Sequence, residues 1–299
     1  MTGKVVDFIQ ENANQPFFVY FAPCAPHTHI TPAEQFRGTS KAGTFGDHVQ
    51  ELDSHVGTIM QTLEKLKLAD NTLLIFASDN GGNPKDFKGT ANCNLNLASE
   101  SGDIRVKFKT ARIDARKLGH YVNGQWRDGK GHPYEGGHRV PFIARWPGHI
   151  QSGTTSDHLF NLTDMLATFA DMNGEKLPDD AGEDSISLLP VLLGGESPIS
   201  REVIFIQGDG KDDAIAVCSG QWKLIQRGRS DITELYDLTS DPGEDQNIAD
   251  QHPEIVKRLT GALEKAEREG VPVQLALNNL VITFQFDSAT LINREKELR

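Results

Sequence analysis

Two short apolar runs on either side of one long amphipathic stretch constrain the fold of this chain more than any other feature. Pro16-Phe17-Phe18-Val19-Tyr20-Phe21-Ala22-Pro23 is a dense apolar and aromatic segment bounded by prolines, with the length and composition of a buried strand. Phe45, Val49, Leu52, Val56, Ile59, Leu63 and Leu66 then recur at spacings of three and four, which predicts a long helix with Thr44 as its N-cap. Leu73-Leu74-Ile75-Phe76-Ala77-Ser78 reads as a second buried strand. It stops at Asp79-Asn80-Gly81-Gly82, where a polar pair and two glycines demand a turn. Strand, helix and strand make a βαβ-type crossover, and such apolar strands belong to an α/β sheet covered on both faces.

The rest of the chain is read more coarsely. Residues 2–12 suit a short amphipathic helix, and 83–135 are polar, glycine-rich and weakly periodic, the pattern of a functional or mobile segment. A third strand is expected over Arg139–Trp146 and a helix over about 160–172. From Glu202 the pattern changes. Val203–Ile206, Ala214–Val217 and Trp222–Ile225 are short strands between Gly/Asp/Ser turns, which predicts an antiparallel meander. A helix over 253–269 follows, opened by Pro253 and closed by Gly270. The change near 197 divides the chain into a domain of residues 1–197 and a smaller α+β unit of 198–299, whose charged end, 294–299, reads as solvated.

Composition removes several function classes. Of 299 residues, 30 are Lys or Arg and 42 are Asp or Glu, a net charge of −12. That balance argues against unaided binding to nucleic acid or to anionic membrane, although a local site can still attract an anion. No stretch approaches the roughly 18 apolar residues of a membrane span. The first residues lack the apolar core of a secretory signal, which by itself points to the cytoplasm. Cys24, Cys93 and Cys218 are too few for a disulfide framework, and each is expected to be a small buried hydrophobe. No Gly-x-Ser-x-Gly elbow is present. No oligomeric state is specified.

In open α/β sheets ligands collect beyond the carboxyl ends of strands. The first strand leads to His27 and His29, the second to Asp79 and Asn80. Asp79 and Asn80 offer hard oxygens suited to Ca²⁺ or Mg²⁺, or simply form the corner any strand-to-loop turn would use. His27-Thr28-His29 is no zinc site, because alternate residues of an extended segment face opposite ways and no further ligand stands at zinc spacing. Gly129-Lys130-Gly131 can bring an ammonium and backbone N–H groups to an anion, but lacks the P-loop frame. His132, His138 and the 83–128 segment are candidates for shaping a substrate pocket.

Taken in order, these pieces resemble the sulfatase family. The likeness runs through Phe17-Phe18-Val19-Tyr20 with Ala25-Pro26-His27, then Asp70 to Gly82, then Gly129-Lys130-Gly131. It continues through Tyr134-Glu135-Gly136-Gly137-His138-Arg139-Val140-Pro141-Phe142, Arg145-Trp146-Pro147-Gly148, Glu234 to Leu238 and Asp241-Pro242-Gly243-Glu244. The resemblance implies an alkaline-phosphatase-like fold: a mixed central sheet between helices, then a small antiparallel sheet with a packed helix. It implies hydrolysis of sulfate esters of a sugar or aryl alcohol, and one Ca²⁺ held in part by Asp79 and Asn80. It implies that His27 and Lys130 contact the sulfate, with His138 beside the substrate. Export to the periplasm or outside the cell follows from the same likeness.

The sequence departs from the family in one region. Sulfatases make their nucleophile, a formylglycine, from the cysteine of Cys-x-Pro-Ser-Arg, and none of the three cysteines fits. Cys24-Ala25-Pro26 has the opening of that motif without its Ser and Arg. The family's Asp-Asp calcium pair and Lys-x-His segment are absent as well. The expectation is a chain that begins partway through the domain, with apolar sheet edge exposed and little turnover by itself. Alternatives are a phosphatase or phosphodiesterase of the same superfold, which Asp79-Asn80 fits poorly, a non-catalytic remnant binding sulfated glycans, or an open frame whose product does not fold.

Overall fold

The computed structural model describes residues 1–27, 29–83, 115–199, 201–208, 214–228, 232–269 and 280–285, the last as backbone alone. Helix α1 (Thr2–Glu11) leads into strand β1 (Phe17–Phe21), helix α2 (Gly43–Lys65) and strand β2 (Thr72–Ala77). The one-turn helix α3 (Glu135–His138), strand β3 (Phe142–Arg145), helix α4 (Asp164–Met172) and the short α5 (Leu189–Leu192) follow. A meander of β4 (Ile204–Gln207), β5 (Ala214–Ser219), β6 (Trp222–Arg227) and β7 (Ile232–Asp237) precedes helix α6 (Pro253–Glu269) and a last strand, β8 (Leu280–Gln285).

The first sheet has the order β1-β8-β2-β3. β8 runs antiparallel to both β1 and β2, with Ile282 opposite Tyr20 on one side and Ile75 on the other. β1 and β2 are therefore parallel to each other, as the α2 crossover requires, but one strand position apart. β3 is antiparallel to β2, so the sheet is mixed.

Sheet packing explains the sequence pattern. Every residue of β2 is buried except the half-buried Phe76. Leu74 packs with Ile9 of α1, Phe17, Val19 and Phe21 of β1 and Ile59 and Leu63 of α2. Leu73 and Ile75 pack on the opposite side with Trp146, Met165, Met172, Leu188 and Leu189. Fully burying side chains of this size contributes about 1.5–3 kcal/mol each. β1 differs from the fully buried strand its composition predicts: it alternates, with Phe18 and Tyr20 about half exposed.

The start of α2 also differs from expectation. The helix begins at Gly43 with Ala42, not Thr44, at the cap, and no side chain caps it. Asp47 reaches back from the second turn instead. Its carboxylate accepts the Gly38 and Ser40 N–H groups, each at 2.8 Å, and Ser40 Oγ accepts from Ala42 N–H.

The meander has two buried faces. Val217, Leu224 and Leu235 meet Leu259 and Leu263 of α6. Ala214, Ala216, Ile225 and Tyr236 meet Tyr134, just ahead of α3. By strand alternation Lys223 shares the face of Ile225, which turns it toward α3. β8 fills the slot between β1 and β2, so the edges of those strands that face each other are both paired; the charged end 294–299 lies outside the described residues. Among the described residues no helix is long and apolar enough to cross a membrane.

Candidate active site beyond the carboxyl ends of β1 and β2

Four glycines lock the loop after β2 onto the loop that carries Lys130. Gly81 N–H donates to Gly137 O at 3.0 Å, and Lys130 N–H donates to Gly82 O at 2.7 Å. Asn123 joins the pieces. Its Oδ1 accepts from Gly82 N–H at 2.7 Å, and its Nδ2 donates to Asp128 O at 2.7 Å and Gly136 O at 2.8 Å. A Cβ at Gly81 would lie 1.6 Å from Gly136 O, one at Gly136 would lie 2.3 Å from Asp128 O, and one at Gly137 would lie 2.1 Å from His132 O. None of these four has a positive φ. Glycine is needed here for close backbone approach, not for the left-handed turn that Asp-Asn-Gly-Gly suggests. Gly131, at φ +88°, is the one that needs the left-handed region.

This junction brings Asp79 and Asn80 together with the exposed Lys130. Asn80 Nδ2 donates to Gly81 O at 2.9 Å, so its Oδ1 is the atom left to bind a cation. The His27 loop reaches the same place through packing. His27 is exposed in a turn closed by its own N–H to Cys24 O at 2.8 Å. Ile30, at the end of that loop, is buried with Phe45 and Ala115, and Val122 packs on this cluster. Val122 also abuts Gly82, where an added Cβ would meet its Cγ1 at 2.3 Å. Residues 84–114, including Cys93 and much of the predicted pocket-shaping segment, lie outside the described residues. Of that segment, Asn123 is the residue sequence reasoning missed, and its position before Gly124 carries no motif that marks it.

His138 is drawn inward. Its Nε2 lies 2.8 Å from Lys223 Nζ, which can only donate, so Nε2 accepts and the ring proton sits on Nδ1. Burial first, then the Lys223 charge, hold His138 down to about 3, so the ring is neutral. The Nε2 of the ring is thus engaged by Lys223, while the side chain keeps 22% of its surface exposed. His132 lies 3.1 Å from the Asp128 carboxylate. Cys24 is exposed, against expectation, whereas Cys218 is buried; burial pushes its thiol up to about 12.

The Sulfatase family profile matches residues 1–174, more than half of the chain. The chain belongs to the sulfatase family. A second profile, N-sulphoglucosamine sulphohydrolase, C-terminal, matches residues 124–269. An N-acetylgalactosamine-6-O-sulfatase of Bacteroides thetaiotaomicron is 36% identical over 281 residues, covering 89% of this chain and 50% of that protein. The Homo sapiens N-acetylgalactosamine-6-sulfatase is 30% identical, over 92% of this chain and 53% of its own length. A solved structure titled for the metabolism of multiple glycosaminoglycans by Bacteroides thetaiotaomicron matches with a TM-score of 0.74 at 34% identity. It covers 89% of this chain and 53% of that one. The chain thus spans about half the length of the sulfatases it matches, and its architecture is alkaline-phosphatase-like.

For a sulfatase, Ca²⁺ is the cation to test against the residues present. Asp79 and Asn80 contribute hard oxygens of the right kind. Among the described residues no three His, Cys, Asp or Glu side chains form a metal cluster. Asp79 and Asn80 would hold part of a calcium shell that takes about six to eight oxygens, and bound Ca²⁺ would supply positive charge against sulfate oxygens.

Proposed function

We propose that this chain carries the sulfate-recognising half of a sulfuric ester hydrolase site, taking a sulfate ester of a carbohydrate. The observation that carries the reading is the Lys130 N–H bond to Gly82 O, which ties the cationic loop to the loop of the cation-binding pair. Lys130 would set its ammonium against the sulfate and the leaving oxygen, and His27 would hydrogen-bond the ester. The backbone of Lys130 is tied to Gly82 and that of His27 to Cys24, and donors held in place before the substrate arrives stabilise developing negative charge best. Asp79 and Asn80 would hold Ca²⁺ beside them. The names of the relatives support a sulfated amino sugar as the first substrate to try, and the family supports export to the periplasm or beyond the cell.

The test is calorimetric titration of the chain with N-acetylgalactosamine 6-sulfate and with inorganic sulfate, with Ca²⁺ and with a chelator. Binding should weaken at least tenfold in Lys130→Ala and on chelation, and unsulfated N-acetylgalactosamine should not bind. Equal affinity for the sulfated and unsulfated sugars would remove the reading.

A second reading, binding without turnover, has its own support. None of the three cysteines stands in Cys-x-Pro-Ser-Arg, and the buried Cys218 is held protonated, so it offers no thiolate. Binding as above with no sulfate released would favour it.

A further inference from the structure

Lys223 is fully buried and belongs to the meander, far in sequence from Lys130 and Asp79. The sulfate reading gives it no role. Lys223 Nζ hydrogen-bonds His138 Nε2 at 2.8 Å and Glu135 Oε1 at 3.1 Å, and forms an ion pair with Glu244 Oε1 at 2.8 Å that lacks hydrogen-bond geometry. Glu244 Oε2 in turn accepts the Glu135 backbone N–H at 2.7 Å, so α3 is held by both its side chain and its main chain. Arg127 adds a third tie, donating to Tyr236 OH at 3.1 Å and to Glu244 O, while its own carbonyl accepts from Gly136 N–H at 2.8 Å. From Gly136 and Gly137 the path runs through Asn123 and Gly81 to the Asp79–Asn80 loop and to Lys130.

We propose that Lys223 and Glu244 are positioning residues for the anion site: together they clamp α3, and through the glycine junction they set where Lys130 and the Asp79–Asn80 loop stand. Burying three ionic groups is a poor route to net stability, since apolar residues of the same volume do as well or better. Two hydrogen bonds and an ion pair from one ammonium do fix an orientation. The meander then acts as the rigid backing of a site built from loops of the first sheet. What the clamped site binds rests on the sulfatase reading; the clamp itself does not.

The clamp is read in the full chain by hydrogen–deuterium exchange at two amides, Gly81 N–H and Lys130 N–H, in Lys223→Met and Glu244→Gln. In folded Lys223→Met both should exchange at least tenfold faster, while amides of α2 and β2 keep their parental protection; a merely structural loss would speed all of them together. Affinity for inorganic sulfate should fall about tenfold, and adding Lys130→Ala should cost little more. Parental exchange at the two amides in a folded variant, or losses from Lys223→Met and Lys130→Ala that multiply, would overturn the proposal. If Lys223→Met does not fold, Glu244→Gln is judged at the same amides, and parental rates there are equally fatal. If Lys130→Ala leaves the parent's sulfate affinity unchanged, the sulfatase reading fails, and the clamp still stands or falls on the amides.

Discussion

At the scale of single residues, the buried ionic group around Lys223 makes stability depend on pH in a definite direction. In the unfolded chain His138 takes a proton near pH 6.5, whereas in the folded chain burial and Lys223 hold it to about 3. The folded state therefore binds fewer protons between those values. The contribution of His138 is full above about pH 6.5 and is lost progressively as pH falls through that window, while Glu244, raised by burial, acts in the opposite sense at lower pH. Glu135 acts in the same sense as His138, lower down. Burial raises its pKa, but Lys223, His138 and Arg139 outweigh burial and hold it at about 2, so its contribution is lost as pH falls from about 4.5. His48, lowered by burial, adds to the upper limb. The urea midpoint should thus drop below pH 6.5, and His138→Asn should flatten the part above pH 5. A parental midpoint that stays level from pH 7 to 5 would be incompatible with a neutral, buried His138. The residue scale also shows how a motif misleads: Asp-Asn-Gly-Gly reads as a turn signal, yet its glycines are there because Gly136 and Val122 leave no room for a Cβ.

Among the elements, β8 is the one whose removal has the clearest consequence. It is hydrogen-bonded on both sides, to β1 and to β2, and it sets the spacing of the two strands that lead to His27 and to Asp79. Proline within a strand paired on both edges removes a ladder bond and clashes. Ile282→Pro should therefore destabilise the chain by about 3 kcal/mol or more, read as a shift of the urea midpoint with little change in slope. A shift within experimental error would mean that β8 does not hold the sheet together. Legibility varied with how local each element's cause is. α2 and α6 were readable because their apolar residues repeat at helical spacing, and Pro253 marks the first turn of α6. The cap of α2 was not, because Asp47 works backward onto Gly38 and Ser40. β8 was missed because Leu280–Gln285 is a short apolar run in a polar tail, and only the slot between β1 and β2 gives it a partner.

For the whole molecule, the chain spans about half the length of the sulfatases it matches. Sheet, helices and C-terminal meander form one architecture, tied by β8 at the first sheet and by Lys223 at the glycine junction. Turnover needs a nucleophile that this sequence does not encode in the family's form. The purified chain should release no sulfate from an aryl sulfate above the uncatalysed background, while still binding sulfate through Lys130; formylglycine-dependent hydrolysis by the chain alone would contradict this.

The sequence alone determined the family, the crossover of β1, α2 and β2, the meander with α6, and the candidate residues His27, Asp79, Asn80 and Lys130. Each of those rests on residues close together in the chain, whose periodicity or motif is complete locally. Tertiary structure alone decided that Lys130 and the Asp79–Asn80 loop share one backbone junction, that Asn123 joins it, and that His138 Nε2 meets Lys223. It also decided that a lysine from the meander stands behind them all. These depend on which backbone lies against which and on which charges lose their water, and neither is a property of any local stretch of sequence.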